Sequence, residues 1–516
     1  MTKKYEKVIW TVCIILGVAL FMFTRGFQMG NIPKGIHIDE ASMTYNAWCI
    51  ASFGVDQYQN SFPAYFTYFG GQSALCIYLT ALLIKLFGFS TYIGRITAIL
   101  SSLVGIYATM KVAEMIWEKE ENSRRIPFLT ALLMLICPYF IMASRIALDC
   151  NLMMGFSALF LYFVLKALKS GKNTDYIVTG VSAGLVLYSY AISYLIMLLF
   201  LGLLLIYAMW IRKTDFRKVL CAALPLGIMA IPLICVQIIN MFDLPPFKLG
   251  PISITKMEQY RASEIGKISL VKMHQAFNVI FMGDGLLYNS VPGFDNLYWI
   301  TIPLCILGLV AWIYQLIKSI RNRTYTPSVI IFLWIVAMFY FESHFISNTN
   351  KINGIFAGIV LCTVEGILTI RKVPGKIGTV LFGMCLCIYL ICFARFASFY
   401  FGGDYTNLAK EEMDYYSPDY SEVFQRIQQD QNLGAQEIYM EDSYVYYTMA
   451  MRPSPYEFTA DKHEDYQNAH FMEDGYGPID TSHVYLVKSK DTDYAEQLRM
   501  DGFTEEDYED ILLFYQ

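Results

Sequence analysis

Charged side chains are scarce in this chain of 516 residues: Asp, Glu, Lys and Arg make up 16% of it, where soluble globular domains carry roughly a quarter. That shortage excludes an ordinary water-soluble fold, and the apolar fraction of 56% points to lipid as the solvent. A disulfide framework is missing too. The 12 cysteines show no CxxC spacing, and Cys13, Cys76, Cys137, Cys221, Cys362, Cys385 and Cys387 lie inside apolar runs, as small buried hydrophobes do. No GxxxxGK followed by Ser or Thr occurs, and no strand–GxGxxG–helix pattern, so a nucleotide-sugar or ATP-driven mechanism finds no support. No internal repeat is evident, which counts against a transporter built from repeated halves.

What the chain does have is a series of apolar runs. A bilayer core of about 30 Å needs roughly 20 apolar residues per helix. Runs long enough, or nearly so, fall at 8–25, 92–116, 127–145, 151–168, 176–191, 193–211, 219–239, 297–317, 327–341, 353–370 and 377–398. They predict an all-α polytopic membrane protein of about eleven transmembrane helices over 1–400. No small-residue cleavage site follows the first run, where Arg25-Gly-Phe-Gln stands instead, so that run is expected to stay as a helix rather than be removed as a signal peptide.

Orientation follows from Lys and Arg, which accumulate on cytoplasmic loops. Lys3, Lys4 and Lys7 place the N-terminus in the cytoplasm. Alternating from there, the cytoplasmic loops carry Arg124/Arg125, Lys166/Lys169/Lys172, Arg212/Lys213/Arg217/Lys218, Lys318/Arg321/Arg323 and Arg371/Lys372/Lys376, all basic as the rule requires. The single Asn-x-Ser/Thr sequon, Asn322-Arg323-Thr324, falls in one of these loops, so nothing suggests a glycosylated protein.

Two long outer segments, 26–91 and 240–296, interrupt the spans. The first contains an apolar run of fourteen residues, Ala74–Phe87, expected to lie on the membrane or dip into it. Beyond 400 the composition changes. Residues 400–516 hold 26 of the 44 acidic and 7 of the 39 basic residues, a net charge of −19 that leaves +14 on the remainder. Helical and strand patterns alternate there: a helix at 420–432, strands at 436–441 and 483–488, a helix at 493–501 and a strand near 511–515. This predicts a soluble, acidic, extracytoplasmic α/β domain over 401–516, whose charge argues against nucleic acid as a partner. His463, His470 and His483 lie in it without ligand-like spacing.

His37-Ile-Asp39-Glu40 follows the first span at the outer surface. Adjacent carboxylates so near a bilayer are costly, which favours a function; equally, Asp39 can serve as the N-cap of a helix with Glu40 in its first turn. Asp39-Glu40, then Tyr45, Gly54-Val-Asp56, Pro63-Ala-Tyr65, Gly70-Gly71, Gly88 and Arg95, resembles the first outer loop of the C-type glycosyltransferases (the GT-C fold), and among them the protein O-mannosyltransferases and the lipid A aminoarabinose transferases. The resemblance spans roughly 1–370 and is strongest at 35–100.

It implies an inverting transferase that moves a hexose or pentose from a polyprenyl-phosphate donor to a glycolipid, wall polymer or protein on the outer face of a bacterial plasma membrane. By that resemblance Asp39 is the general base or acceptor-positioning carboxylate, with Glu40 in support. A departing phosphate calls for a cation. Candidates at outer helix ends are Arg95, Arg145 and Lys351, each of which can instead snorkel to headgroups. Arg145-x-x-x-Asp149 at helical spacing predicts both charges on one face. Tyr65 belongs to the same loop, and Tyr188 can stack on a sugar or anchor at the interface. The cluster from Glu342 through His344 and Asn348 to Lys351 can bind sugar hydroxyls. One His with one carboxylate is a thin metal site, so no metal ligand is assigned, although some members of the family use a divalent ion. A flippase for polyprenyl-linked sugars and a non-catalytic scaffold are the other readings.

Overall fold

The computed structural model describes residues 3–120, 123–257, 266–412, 416–458, 465–472 and 475–516. Helices dominate up to residue 401. Eight of those described are long and apolar enough to cross a membrane: Val8–Gly26, Ile93–Ile116, Asn151–Ser170, Ser193–Trp210, Phe216–Met241, Thr301–Asn322, Thr349–Arg371 and Lys376–Phe401. The other expected runs form helices of 17 residues or fewer. The run at 176–191 forms Asn173–Ser189 and that at 327–341 forms Pro327–Glu342. The run at 127–145 does not form one helix. Pro138, which has no N–H to donate, divides it into Ile126–Ile136 and Pro138–Met142.

Thr349–Arg371, which is the short helix Thr349–Ile352, the turn Asn353–Ile355 and the helix Phe356–Arg371 in succession, is almost wholly buried, while the first helix turns Val8, Val12, Ile15, Leu16 and Val18 outward, as a lipid-facing helix does. Close helix crossings use glycine. A Cβ on Gly155 would stand 2.4 Å from the Ser101 carbonyl oxygen, and one on Gly366 would stand 1.9 Å from that of Leu304. Ala74–Phe87 is a helix of fourteen residues with one face buried through Cys76, Ile77, Ala81 and Ile84, and with Leu82, Leu86 and Phe87 exposed.

The ends of the bundle differ. At one, the basic connections meet: Lys169 pairs with Glu118 at 2.7 Å, Lys372 with Glu120 at 2.9 Å, and Arg323 lies over Trp210. At the other, the segments near 24–35, 65–73, 139–150, 284–296 and 344–353 interlock through backbone and side-chain hydrogen bonds.

Beyond Phe401 a six-stranded sheet runs in the order Thr504–Asp507, Ile511–Tyr515, His483–Lys488, Glu437–Met440, Ala469–Phe471, Asp465–Tyr466. Glu437–Met440 is parallel to both its neighbours, and the other pairings are antiparallel. Both faces are covered, so alternate residues serve two cores: Val484 and Leu486 pack with helices Ser421–Gln429 and Tyr444–Met451, whereas Tyr485 and Val487 pack with Thr492–Met500. The first core also takes in Ile36, Ala41 and Tyr68 from the segment after the first helix. Ile36–His37 pairs antiparallel with Tyr416–Ser417, so the β-rich region is stitched to the loop just ahead of Asp39. Tyr45 adds a hydrogen bond from its hydroxyl to the Pro453 carbonyl, and Gln59 one from its amide to that of Pro455.

Candidate active site after the first helix

Helix Ile38–Phe53 begins on His37, whose Nδ1 accepts the Asp39 N–H at 3.1 Å. Capping is therefore done by His37 and not by Asp39, and the Asp39 carboxylate is left out of the helix terminus. An imidazole that accepts at Nδ1 carries no proton there, and burial holds its pKa below the ordinary value. Tyr288 and Tyr416 meet the ring edge-on at 4.8 and 5.4 Å.

Asp39 keeps 43% of its side chain exposed. Its Oδ1 accepts from Gln72 Nε2 at 3.4 Å, and Gln72 Oε1 in turn accepts from Ser42 Oγ. On the next residue, the Ser73 N–H donates to Asp149 Oδ2 at 2.7 Å, and the Cys150 N–H donates to Oδ1 at 2.7 Å. One short strand, Gln72–Ser73, thus holds a carboxylate with each of its residues, and brings together two acids that lie far apart in sequence. Burial pushes Asp149 up to about 6; the Ser73 N–H works against this, and the charge of Asp39 adds to it.

The strand is set by the turn before it. Gly71 has φ +112, and a Cβ there would stand 2.1 Å from Tyr65 Cε1. Tyr65 pairs with Ser73 across this hairpin, and its carbonyl accepts from Thr255 Oγ1, in the segment after helix Phe216–Met241, at 2.7 Å.

Glu40, turned about 100° around the helix from Asp39, faces inward. It is fully buried and forms a two-pronged pair with Arg95, Nε to Oε1 at 2.8 Å and Nη2 to Oε2 at 3.0 Å, while the Ala147 N–H donates to Oε1. The remaining Arg95 donors reach the carbonyls of Met29, Pro33 and Gly35. Arg145 donates to the carbonyls of Thr24, Phe27, Gln28 and Ile32, at the C-terminal end of the first helix.

Two sequence expectations change here. Arg145 and Asp149 do not share a helical face: 143–150 is a turn, and the two side chains go to different partners. The guanidiniums of Arg95 and Arg145, expected at a phosphate, are spent on bracing 24–40.

The third expected cation, Lys351, lies in the short helix Thr349–Ile352 with its ammonium over the Phe345 ring. Asn348 caps that helix, accepting the Lys351 N–H at 3.1 Å. His344 Nδ1 lies 2.8 Å from the Gly266 carbonyl, and the His344 carbonyl accepts from Lys272 Nζ. His344 therefore ties the segment after Pro327–Glu342 to the one before Leu270–Phe281. Tyr188 donates to the Met229 carbonyl and, with Phe62, Pro63, Ala64, Tyr78 and Pro251, lines an almost wholly apolar groove of about 420 Å³.

A divalent ion fits this arrangement poorly. Among the described residues no group of three His, Cys, Asp or Glu side chains converges, and both Asp149 oxygens already accept N–H bonds.

Sequence reasoning missed Gln72, Ser73 and His37 as the residues that set the two carboxylates. It also missed Arg25, fully buried, whose guanidinium donates to the carbonyls of Met134, Leu135 and Phe140 at the Pro138 break. Only the Gly70-Gly71 pair announced the hairpin. His463 lies outside the described residues.

Residues 72–239 match the family described as dolichyl-phosphate-mannose-protein mannosyltransferase. No curated protein sequence matches the chain. Among solved structures, ArnT from Cupriavidus metallidurans in the apo state is similar over 99% of this chain and 98% of its own, with a TM-score of 0.56 at 11% identity. The same protein bound to undecaprenyl phosphate is similar over 98% and 97%, with a TM-score of 0.54 at 11% identity. An oligosaccharyltransferase from Archaeoglobus fulgidus, tethered with an acceptor peptide, is similar over 87% of this chain and 63% of its own, with a TM-score of 0.50 at 11% identity. The fold is thus that of the C-type glycosyltransferases, a helical membrane bundle followed by a β-rich domain.

Proposed function

We propose that this chain is a membrane glycosyltransferase that takes a sugar from a polyprenyl-phosphate donor and passes it, with inversion, to an acceptor hydroxyl on the outer face of the membrane. The observation that carries this reading is the state of Asp39. It is a half-exposed carboxylate, relieved of capping by His37 and fixed by Gln72, in the loop that follows the first membrane helix. The family match over 72–239 supports the class of chemistry. The apolar groove beside Tyr188 supports a donor whose lipid chain stays at the membrane boundary.

In this reading Asp39 takes the proton of the acceptor hydroxyl as its oxygen bonds the anomeric carbon, and the bond from that carbon to the phosphate oxygen breaks with its electron pair going to the phosphate. Asp149 holds the hairpin through Ser73, and burial pushes its own carboxyl up to about 6. Lys351, whose exposed ammonium lies over the Phe345 ring, is the outer cation proposed to meet the phosphate. The basic ends of the helices are placed in the cytoplasm by the positive-inside rule, which puts the first loop and the β-rich domain outside.

The test is transfer by the full chain reconstituted in liposomes. Labelled sugar should move from polyprenyl phosphate to a membrane-extract acceptor, and a nucleotide sugar supplied without the lipid donor should give none. Equal transfer from the nucleotide sugar would overturn the donor assignment.

A further inference from the structure

The region beyond residue 400 is strongly acidic, and its few basic residues are not scattered. Of the seven Lys and Arg in 400–516, Lys410, Lys488 and Lys490 line a single cavity of about 440 Å³. Lys34 of the first outer loop joins them from the other side. Two carboxylates share the wall. Asp510 accepts from Lys34 at 2.6 Å and from Lys410 at 3.3 Å, and Glu509 accepts from Lys34 at 2.9 Å. Lys488 is anchored behind the cavity on Asp442 at 2.9 Å, and Lys490 stands exposed at the rim. Among the described residues four ammonium groups face three carboxylates, Asp442 included, so the lining keeps a positive excess of one inside a region whose net charge is −19, and an anion adds a partner for the lysines at the rim.

Position narrows the ligand. Lys34 lies eight residues beyond the end of the first helix, and Lys410 sits in Asp404–Glu412, just after the last one, so the cavity opens where the bundle ends. Lys binds phosphate as a point charge, and the volume far exceeds that of one inorganic phosphate. We infer that this cavity is a binding site for a phosphate-bearing molecule, distinct from the site at Asp39 and independent of the chemistry proposed there.

Its wall also contains Gly35, Tyr416 and Ser417, the start of the strand pair that runs into Asp39. An occupant therefore fastens the β-rich region to the first outer loop, and binding stabilises the folded chain by mass action.

The phosphate can belong to a membrane lipid or to a soluble compound, and two arms separate them. Full-length protein is titrated with pyrophosphate in nanodiscs of phosphatidylcholine, and bound lipid is counted by native mass spectrometry after exchange into nanodiscs containing phosphatidylglycerol. Saturable binding of pyrophosphate assigns a soluble source; one retained phosphatidylglycerol per chain without pyrophosphate binding assigns a headgroup. In either case K410Q/K490Q, with both changes outside the Asp39 site, should weaken binding at least tenfold, and Glu509→Gln should tighten it. Thermal unfolding of each variant without ligand checks that the fold is kept. Absence of saturable binding in both arms overturns the site, as does binding that the double variant leaves unchanged.

Discussion

Asp39 and Glu40 are adjacent in sequence, yet their surroundings predict opposite responses to the loss of a charge. Glu40 and Arg95 have fully buried side chains, and the pair is two-pronged. Glu40→Gln leaves the guanidinium charge buried with only carbonyl acceptors around it. Removing one partner of such a pair costs about 3–5 kcal/mol. Gln keeps one acceptor oxygen, which places the expected loss near the lower limit, about 3 kcal/mol. That is a shift of over a hundredfold in the unfolding equilibrium, since about 1.4 kcal/mol is tenfold, and a large part of the roughly 5–15 kcal/mol that holds a native fold.

Asp39→Asn removes a charge that is half in water and keeps an acceptor for Gln72, so its cost should stay within about 0.5 kcal/mol. The assay is unfolding of the purified protein in mild detergent by a graded denaturing detergent, followed by loss of helical circular dichroism. The reasoning is refuted if Glu40→Gln unfolds at the parental midpoint, or if the two variants lose the same stability.

The burial of Asp149 gives a pH dependence. Its folded pKa, about 6, lies above the ordinary carboxylate value. Its contribution to stability is therefore fully present below pH 4 and is lost as pH rises through 6; Asp149→Asn should flatten this part of the stability profile, measured as the unfolding midpoint from pH 4 to 8. Gly71→Ala should displace Tyr65 and loosen the Gln72–Ser73 strand, lowering transfer at least tenfold with the bundle still folded, as read from activity beside circular dichroism. In the sheet, His470 sits between Asp465 and Glu437, which raise its pKa against the opposing effect of burial. Its pairing stabilises fully below pH 6.5 and fades as pH rises through the raised value, so His470→Gln should lower the unfolding midpoint at pH 6 more than at pH 9.

Much of the fold was legible because lipid and sheets impose simple periods. The apolar runs located the long helices, and alternation at 436–441, 483–488 and 511–515 located three strands of the sheet to within a residue or two. The run at 127–145 misled because hydropathy does not register that Pro138 ends a helix whose free carbonyls Arg25 then collects. At the site, the Asp39-Glu40 pair was visible but its division of labour was not: successive helical residues face different surroundings, and only the fold says which one meets Arg95. Arg95 and Arg145 read as phosphate ligands because, Glu40 on Arg95 apart, the hydrogen-bond partners of their guanidiniums are main-chain carbonyls of 24–35, which carry no residue signature. Gln72 and Asp149 lie 33 and 110 residues from Asp39, and a turn that only glycine permits brings them to it.

The central claim is that the Asp39 carboxylate receives the acceptor's proton. Its most direct test is single-turnover transfer of labelled sugar from polyprenyl phosphate by the parent and by Asp39→Asn, at matched protein and with donor retention measured in parallel. The account predicts that the variant still holds the lipid donor but transfers sugar at least a hundredfold more slowly. Parental rates from Asp39→Asn would contradict it.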